Sequence, residues 1–218
     1  MAKLPKLFWK NVLWTIGVFA LGNLMVVVNR MEIPGTIHRL ESSWDLMIPL
    51  VLPLILVYLA YFPYVYAFLL YMLFKKPEQF KPFALTMIVC GVITAIINVT
   101  FQTYAPRAAL PGTDLFSNLL RWHYGLNEPL TSFPSLHVIH AVCIAYFANK
   151  IVPRRKWFFF TLSFWISIST LLVKQHYIPD VIAGFFIAYG VSSMVYNWWQ
   201  NKENLLINEF NRAKEATA

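Results

Sequence analysis

Apolar stretches about as long as a membrane crossing recur from one end of the chain to the other, and no other feature limits its fold as much. They are Leu7–Val28, Leu46–Phe74, Phe83–Phe101, Leu136–Val152, Trp157–Val173 and Val181–Trp199. About 20 apolar residues in a helix cross a ~30 Å hydrocarbon core. Lipid offers the backbone no hydrogen-bond partner, so such runs cross as helices. Composition agrees, since 13% of the residues are charged and 58% are hydrophobic, against about 25% charged in a soluble domain. The expectation is an all-α integral membrane protein with six transmembrane helices, forming a single polytopic domain over 1–218 with a polar cytoplasmic tail over 200–218. The run Leu46–Phe74, with Pro49, Pro53 and Pro63, is too long for one upright helix. A kinked helix, or an interfacial lead-in followed by a span, is expected there.

Six crossings put both termini on one side. That side takes Lys3, Lys6, Lys10, Lys75, Lys76, Lys81, Lys150, Arg154, Arg155, Lys156, Lys202, Arg212 and Lys214, thirteen of the 18 basic residues. Arg30, Arg39, Arg107, Arg121 and Lys174 fall on the other. The positive-inside rule then predicts a multi-pass protein of the plasma (inner) membrane with both termini cytoplasmic. The net charge of +8 thereby reports topology. With no basic and aromatic residues interleaved on a soluble face, nucleic acid is not an expected partner; the lipid bilayer is, and no obligate protein partner is evident. Cys90 and Cys143 sit inside apolar runs and read as buried free thiols. The first run is too long for a signal-peptide core and lacks an A-x-A site, so no cleaved signal is expected.

Polar groups stand out against this background. Thr131–His140 reads TSFPSLHVIH and Lys174–Asp180 reads KQHYIPD, so each end of a two-span hairpin offers a histidine at the mouth of an apolar helix. His137, His176, Asp180 and Arg107 all fall on the extracytoplasmic side of the predicted topology, which puts the active site at that membrane face. Two imidazoles and a carboxylate suffice for nucleophilic catalysis: one imidazole attacks, the carboxylate orients it, and the other protonates the leaving group. Ionisable groups are costly to place near lipid and point to function. Singly, either histidine reads as an interfacial residue bonded to a headgroup; the combination argues otherwise. Arg107 has a bland reading as a headgroup anchor and Lys174 as a snorkelling residue. His140, one turn below His137, reads as a helix-packing residue, and His123 and Trp122 as interfacial. A metal site built on His137, His140, His176 and Asp180 is a minority alternative that lacks a zincin glutamate and leaves Arg107 unused. Polar groups within the spans are confined to scattered residues such as Asn23 and Asn98, which argues against a channel or transporter.

Ser132–His137 (SFPSLH) followed by Gln175–Gly184 (QHYIPDVIAG) resembles the second and third signature blocks of the type 2 phosphatidic acid phosphatase (lipid phosphate phosphatase) superfamily. The likeness is greatest to the branch containing inositol phosphorylceramide synthases. Tyr104–Arg107 resembles the first block, and the resemblance covers about 98–189, the expected catalytic part. It implies a six-helix membrane fold and metal-independent phosphoryl transfer through a phosphohistidine, without a cofactor. His176 would be the nucleophile, Asp180 its orienting partner and His137 the general acid. Arg107, Ser135 and nearby backbone amides would hold phosphate oxygens, as arginines and helix-end N–H groups do.

The chain departs from the family's usual pattern at several positions. Leu136 stands where the second block has Gly, and Thr100 and Ala108 stand where the first has Lys and Pro. Ser169-Thr170 aligns with a Ser-Arg pair, so that arginine is absent; Lys174 is the expected substitute. One Arg and one Lys grip phosphate with less bidentate geometry than two Arg, which makes a transferase or a diphosphate substrate more plausible. The expected function is hydrolysis or transfer of the phosphoryl group of a lipid phosphate or diphosphate, with a lipid phosphate phosphatase first. A head-group phosphotransferase is the alternative, and a lipid carrier or binding protein is the alternative from outside enzymes.

Overall fold

The computed structural model describes residues 6–31, 33–110, 112–126, 128–130 and 132–216. Lys3 and Thr131, used above, lie outside them, as does the side chain of Phe210. In chain order the helices are α1 (Lys6–Asn29), α2 (Ser43–Met47), α3 (Ile55–Leu59), α4 (Tyr61–Lys75), α5 (Pro77–Thr100), α6 (Leu115–Leu126), α7 (Leu136–Ile151), α8 (Lys156–Leu172) and α9 (Ile178–Ala216). Strand-like pairing among the described residues is limited to two isolated bridges, His38 with Thr103 and Tyr104 with Leu130.

Four segments are long and apolar enough to cross a bilayer: Lys6–Val28, Leu52–Lys75, Pro77–Thr100 and Ile178–Glu209. The other two expected crossings, α7 and α8, have 16 and 17 residues. They rise about 24–26 Å, a little short of a full hydrocarbon core. The long second run resolves into a lead-in and a span, as its prolines suggest. The lead-in is α2, an extended stretch and a 3₁₀ turn over Leu52–Leu54. The span is then interrupted at Ala60, between α3 and α4; Pro63 lacks the N–H that would bond the carbonyl four residues back. The third span starts six residues earlier than expected, because Pro77 suits a first helical turn. The tail is the larger difference. Past the apolar run, α9 continues without a break through the polar residues from Gln200, 39 residues in all to Ala216, since 200–216 holds neither Gly nor Pro.

The centre of the bundle is α7, whose Ile139, Ala141, Cys143, Ile144, Phe147 and Ala148 are buried. They pack with Phe68 and Met72 of α4, Phe80, Phe83 and Met87 of α5, Ile166 of α8 and Ala188 of α9. The outermost span is α1, with 17% of its most apolar window buried against 44% for α5. It docks on α5 knob-into-hole: a Cβ on Gly91 would come within 2.2 Å of Leu21 Cδ2. Several polar groups inside the bundle are satisfied by backbone carbonyls. Thr86 and Thr94 donate to the carbonyls of Pro82 and Cys90, and Ser163 donates to the Ala141 carbonyl at 2.6 Å while meeting Tyr64. Cys90 and Cys143 are free and buried.

The segments entering α3, α7 and α9 and leaving α1, α5 and α8 gather at one end. Val51 N–H donates to Leu172 O, His38 N–H to Gln102 O, and Ser135 N–H to Asp180 O. Arg30 reaches the Leu126 carbonyl. The opposite end holds the α4–α5 and α7–α8 turns and most of the basic residues. There Lys81 lies over Trp14 and Trp199, and Lys150 over Tyr146 and Tyr196.

Candidate active site

The turn from α8 to α9 carries His176. Helix α8 stops in a Schellman arrangement, in which Lys174 N–H donates to Leu171 O and Gln175 N–H to Thr170 O. The residue in the left-handed conformation is Lys174, at φ 55°, where glycine is usual. His176 N–H also donates to Thr170 O, at 3.2 Å, so the Thr170 carbonyl helps to hold the histidine. Four residues on, in the first turn of α9, the Asp180 carboxylate is buried. Its Oδ2 accepts from Tyr177 N–H at 3.0 Å and lies 3.2 Å from His176 Nδ1. A carboxylate accepts and does not donate, so Nδ1 carries the proton and Nε2 keeps its lone pair.

The start of α7 faces this turn. Ser135 caps the helix, its hydroxyl accepting from Val138 N–H at 3.4 Å, and its own N–H is held by the Asp180 carbonyl. Ser135 is fully buried, so its side chain secures the helix start and does not line the open site. The first-turn amides of Leu136 and His137 have no acceptor within their helix. The approach of α9 to α7 depends on Gly184, where a Cβ would lie 2.9 Å from the Ser135 carbonyl oxygen. The His137 ring is 5.6 Å from the His176 ring, edge to face. It is flanked by Tyr58 at 4.6 Å and Tyr61 at 4.3 Å between ring centroids. Both His137 nitrogens are buried without a hydrogen-bond partner.

Arg107, His137, Lys174 and His176 line one cavity of about 340 Å³. The same cavity continues between Val18, Gly22 and Met25 of α1 and Phe62, Val65 and Leu69 of α4, so a polar mouth opens into an apolar gallery. Arg107 donates to the Tyr124 carbonyl and stacks its guanidinium 4.9 Å from the Tyr124 ring. Partial burial lowers Arg107 from its usual guanidinium range, mainly by desolvation, yet it stays cationic. Lys174 extends its ammonium to the Asp45 carbonyl at 2.8 Å. Of the six residues singled out in the sequence, four therefore share the cavity, Asp180 sits behind His176, and Ser135 stands behind the start of α7. No three His, Cys, Asp or Glu side chains among the described residues converge as a metal would need.

Several residues of the site were not visible beforehand. Asp45 is buried; its Oδ1 accepts from Ile178 N–H at 2.7 Å and its Oδ2 from Ser42. The Ser42-x-x-Asp45 capping box is a recognisable local pattern, but nothing local shows that its acid also caps α9. His123 is not interfacial. It is buried, with Nε2 3.1 Å from the Tyr58 hydroxyl. Burial, with Arg107 adding to it, pushes its pKa down to about 4. Trp122, by contrast, is exposed. His140 does pack between helices as expected, with Nδ1 2.5 Å from the Tyr61 hydroxyl, and it also lines the cavity.

Fold and site together define a helical membrane protein with two histidines meeting across a cavity and a buried carboxylate behind one of them. The profile of the PAP2 superfamily matches residues 38–194, most of the chain, and the protein belongs to that superfamily. Over 152 residues, 58% of this chain, it is 24% identical to the inositol phosphorylceramide synthase catalytic subunit aur1 of Schizosaccharomyces pombe (strain 972). The matched stretch is 35% of that relative's length, so the chain corresponds to about a third of it. No solved structure matches.

Proposed function

We propose that this protein cleaves the phosphoryl group from a membrane lipid phosphate or diphosphate through a phosphohistidine at His176. The observation that carries the reading is the His176–Asp180 contact of 3.2 Å, set beside His137 at a cavity mouth that leads into an apolar gallery. His176 Nε2 attacks phosphorus, the bond from phosphorus to the lipid oxygen breaks, and the electron pair leaves with that oxygen. His137, charged once the substrate's phosphate anion lies beside it, gives its proton to the departing oxygen. Asp180 holds the attacking tautomer and stabilises the charge that develops on His176. Arg107, Lys174 and the first-turn amides of α7 offset charge on the phosphoryl oxygens, the main requirement of this chemistry. In the second half-reaction an oxygen nucleophile attacks phosphorus and the P–N bond breaks, with His137 taking the nucleophile's proton.

Water as that nucleophile makes a lipid phosphatase, and the alcohol of a second molecule makes a phosphotransferase. The likeness to a synthase subunit and Thr170 in place of an arginine favour the transferase as the second reading. The fold is read with six crossings, the catalytic part at about 98–189 and the site at the extracytoplasmic face of the plasma membrane. Phosphate release from a panel of lipid phosphates, with and without alcohol acceptors and in excess chelator, tests both readings. His176→Ala should abolish phosphoryl-enzyme formation and turnover. His137→Ala should lose about 10²–10⁴-fold on lipid esters and much less on an aryl phosphate, whose leaving group needs little protonation. Phosphate release that survives His176→Ala would assign another nucleophile, and lipid binding without phosphate release in the wild type would leave a binding protein; loss in chelator, restored by a divalent ion, would favour a metal.

A further inference from the structure

The gallery below His137 is mostly apolar, with Asn23, Asn98, Tyr61, Tyr66 and His140 as polar lining residues. His140 lies three residues beyond His137 on α7, about 4.5 Å further along the helix axis, and lines the cavity together with Tyr61. Their contact, Tyr61 hydroxyl to His140 Nδ1 at 2.5 Å, leaves a fixed remainder whichever atom donates. If the hydroxyl donates, His140 Nε2–H and the phenolic oxygen remain as one donor and one acceptor. If Nδ1–H donates, the phenolic O–H and the Nε2 lone pair remain, again one donor and one acceptor. No described residue takes up this remainder, and hydrocarbon cannot. Polar groups left in this state against hydrocarbon are costly, and they line a cavity continuous with the phosphoryl site.

We propose that the Tyr61–His140 pair is a specificity site that binds a hydroxyl or secondary amide in the backbone of the lipid, roughly three or four bonds beyond the phosphoester oxygen. This rests on the reading of the mouth as a lipid phosphoryl site. The free donor and the free acceptor lie on different atoms, and a lipid that carries both a hydroxyl and a secondary amide can engage each of them. A glycerol ester carbonyl engages the donor alone, and a polyprenyl chain engages neither. The pair thereby selects N-acylated amino-alcohol lipids over prenyl lipids, and diacylglycerol lipids fall between.

The test compares two substrates in the full-length protein in detergent micelles: a ceramide 1-phosphate and a polyprenyl phosphate of matched chain length. The readout is the ratio of their kcat/KM values. Tyr61→Phe, which keeps the ring beside His137, and His140→Leu should each lower the ratio of ceramide to prenyl turnover about 10- to 100-fold. A ratio unchanged in both variants overturns the proposal. Binding of the unphosphorylated pair, a short-chain ceramide and a prenol, by quenching of tryptophan fluorescence removes the dependence on catalysis. A preference for ceramide that disappears in Tyr61→Phe supports the specificity site even if neither phosphate is turned over, an outcome that would count against the proposed reaction alone. No preference in the wild type, or one that persists in both variants, overturns it.

Discussion

Asp45 and Ile178 are 133 positions apart in the chain, yet the Asp45 carboxylate accepts the Ile178 N–H at 2.7 Å. The same residue's carbonyl receives the Lys174 ammonium. A short helix from before the second span therefore grips the turn that carries His176, on both sides of that residue. Removing the carboxylate should leave an uncapped, buried N–H at the start of α9. Asp45→Ala should cost about 0.5–2 kcal/mol of stability and lower kcat more than it raises KM, with partial rescue by Asp45→Asn, which keeps an acceptor oxygen. Equal activity in wild type and Asp45→Ala would show that the turn holds its shape without this cap.

Lys174 combines an unfavourable backbone with a useful side chain. A left-handed conformation costs an L-residue about 1–2 kcal/mol, and glycine at φ 55° avoids that cost. Lys174→Gly should therefore unfold at the same temperature as wild type or higher, although it also loses the contact to Asp45, and should turn over substrate more slowly for want of the ammonium. Raised stability with full activity would remove Lys174 from the phosphate-binding group.

His123 predicts a pH dependence of folding. Its pKa is depressed to about 4 in the folded state, against about 6.5 in an unfolded chain. Between these values the unfolded state binds more protons, so stability is fully present above about pH 6.5 and is lost as pH falls towards 4. From pH 7 to 5 the loss from this one group is about 2 kcal/mol. Thermal unfolding measured across that range should be flatter for His123→Gln than for wild type. Parallel curves would assign the acid sensitivity to other groups.

Sidedness can be read with a membrane-impermeant thiol reagent in intact cells, because Cys90 and Cys143 are buried and remain silent. A cysteine replacing exposed Asn118 should react from outside, and one replacing exposed Arg155 should not. The reverse pattern would move the His137–His176 mouth to the cytoplasm.

What the sequence revealed, and what it withheld, follows from the range of each signal. Span placement rests on runs of apolar residues, and the signature blocks keep His137, His176 and Asp180 within short windows, so both were legible. The gathering of Arg107 with them followed from counting crossings. Asp45, Tyr58, Tyr61 and His123 act across 65 to 133 positions, and long-range contacts of that kind leave no periodicity to read. Ser135 stands at the start of α7, and there its hydroxyl is spent on the helix itself. The polar composition of 200–216 marks the end of the apolar run and carries no signal for the end of α9, because a helix ends where its backbone is interrupted.

The position of α1 has a consequence for how such a protein diversifies. It precedes all the signature blocks and holds none of His137, His176, Asp180 or Arg107, yet Val18, Gly22 and Met25 form one wall of the gallery. On the proposed reading, chemistry and chain selection are carried by separable parts of the molecule. Exchange of this one peripheral helix would then re-size the space for hydrocarbon while His137 and His176 stay where they are, so a lineage could change the lipids it serves without reinventing its reaction.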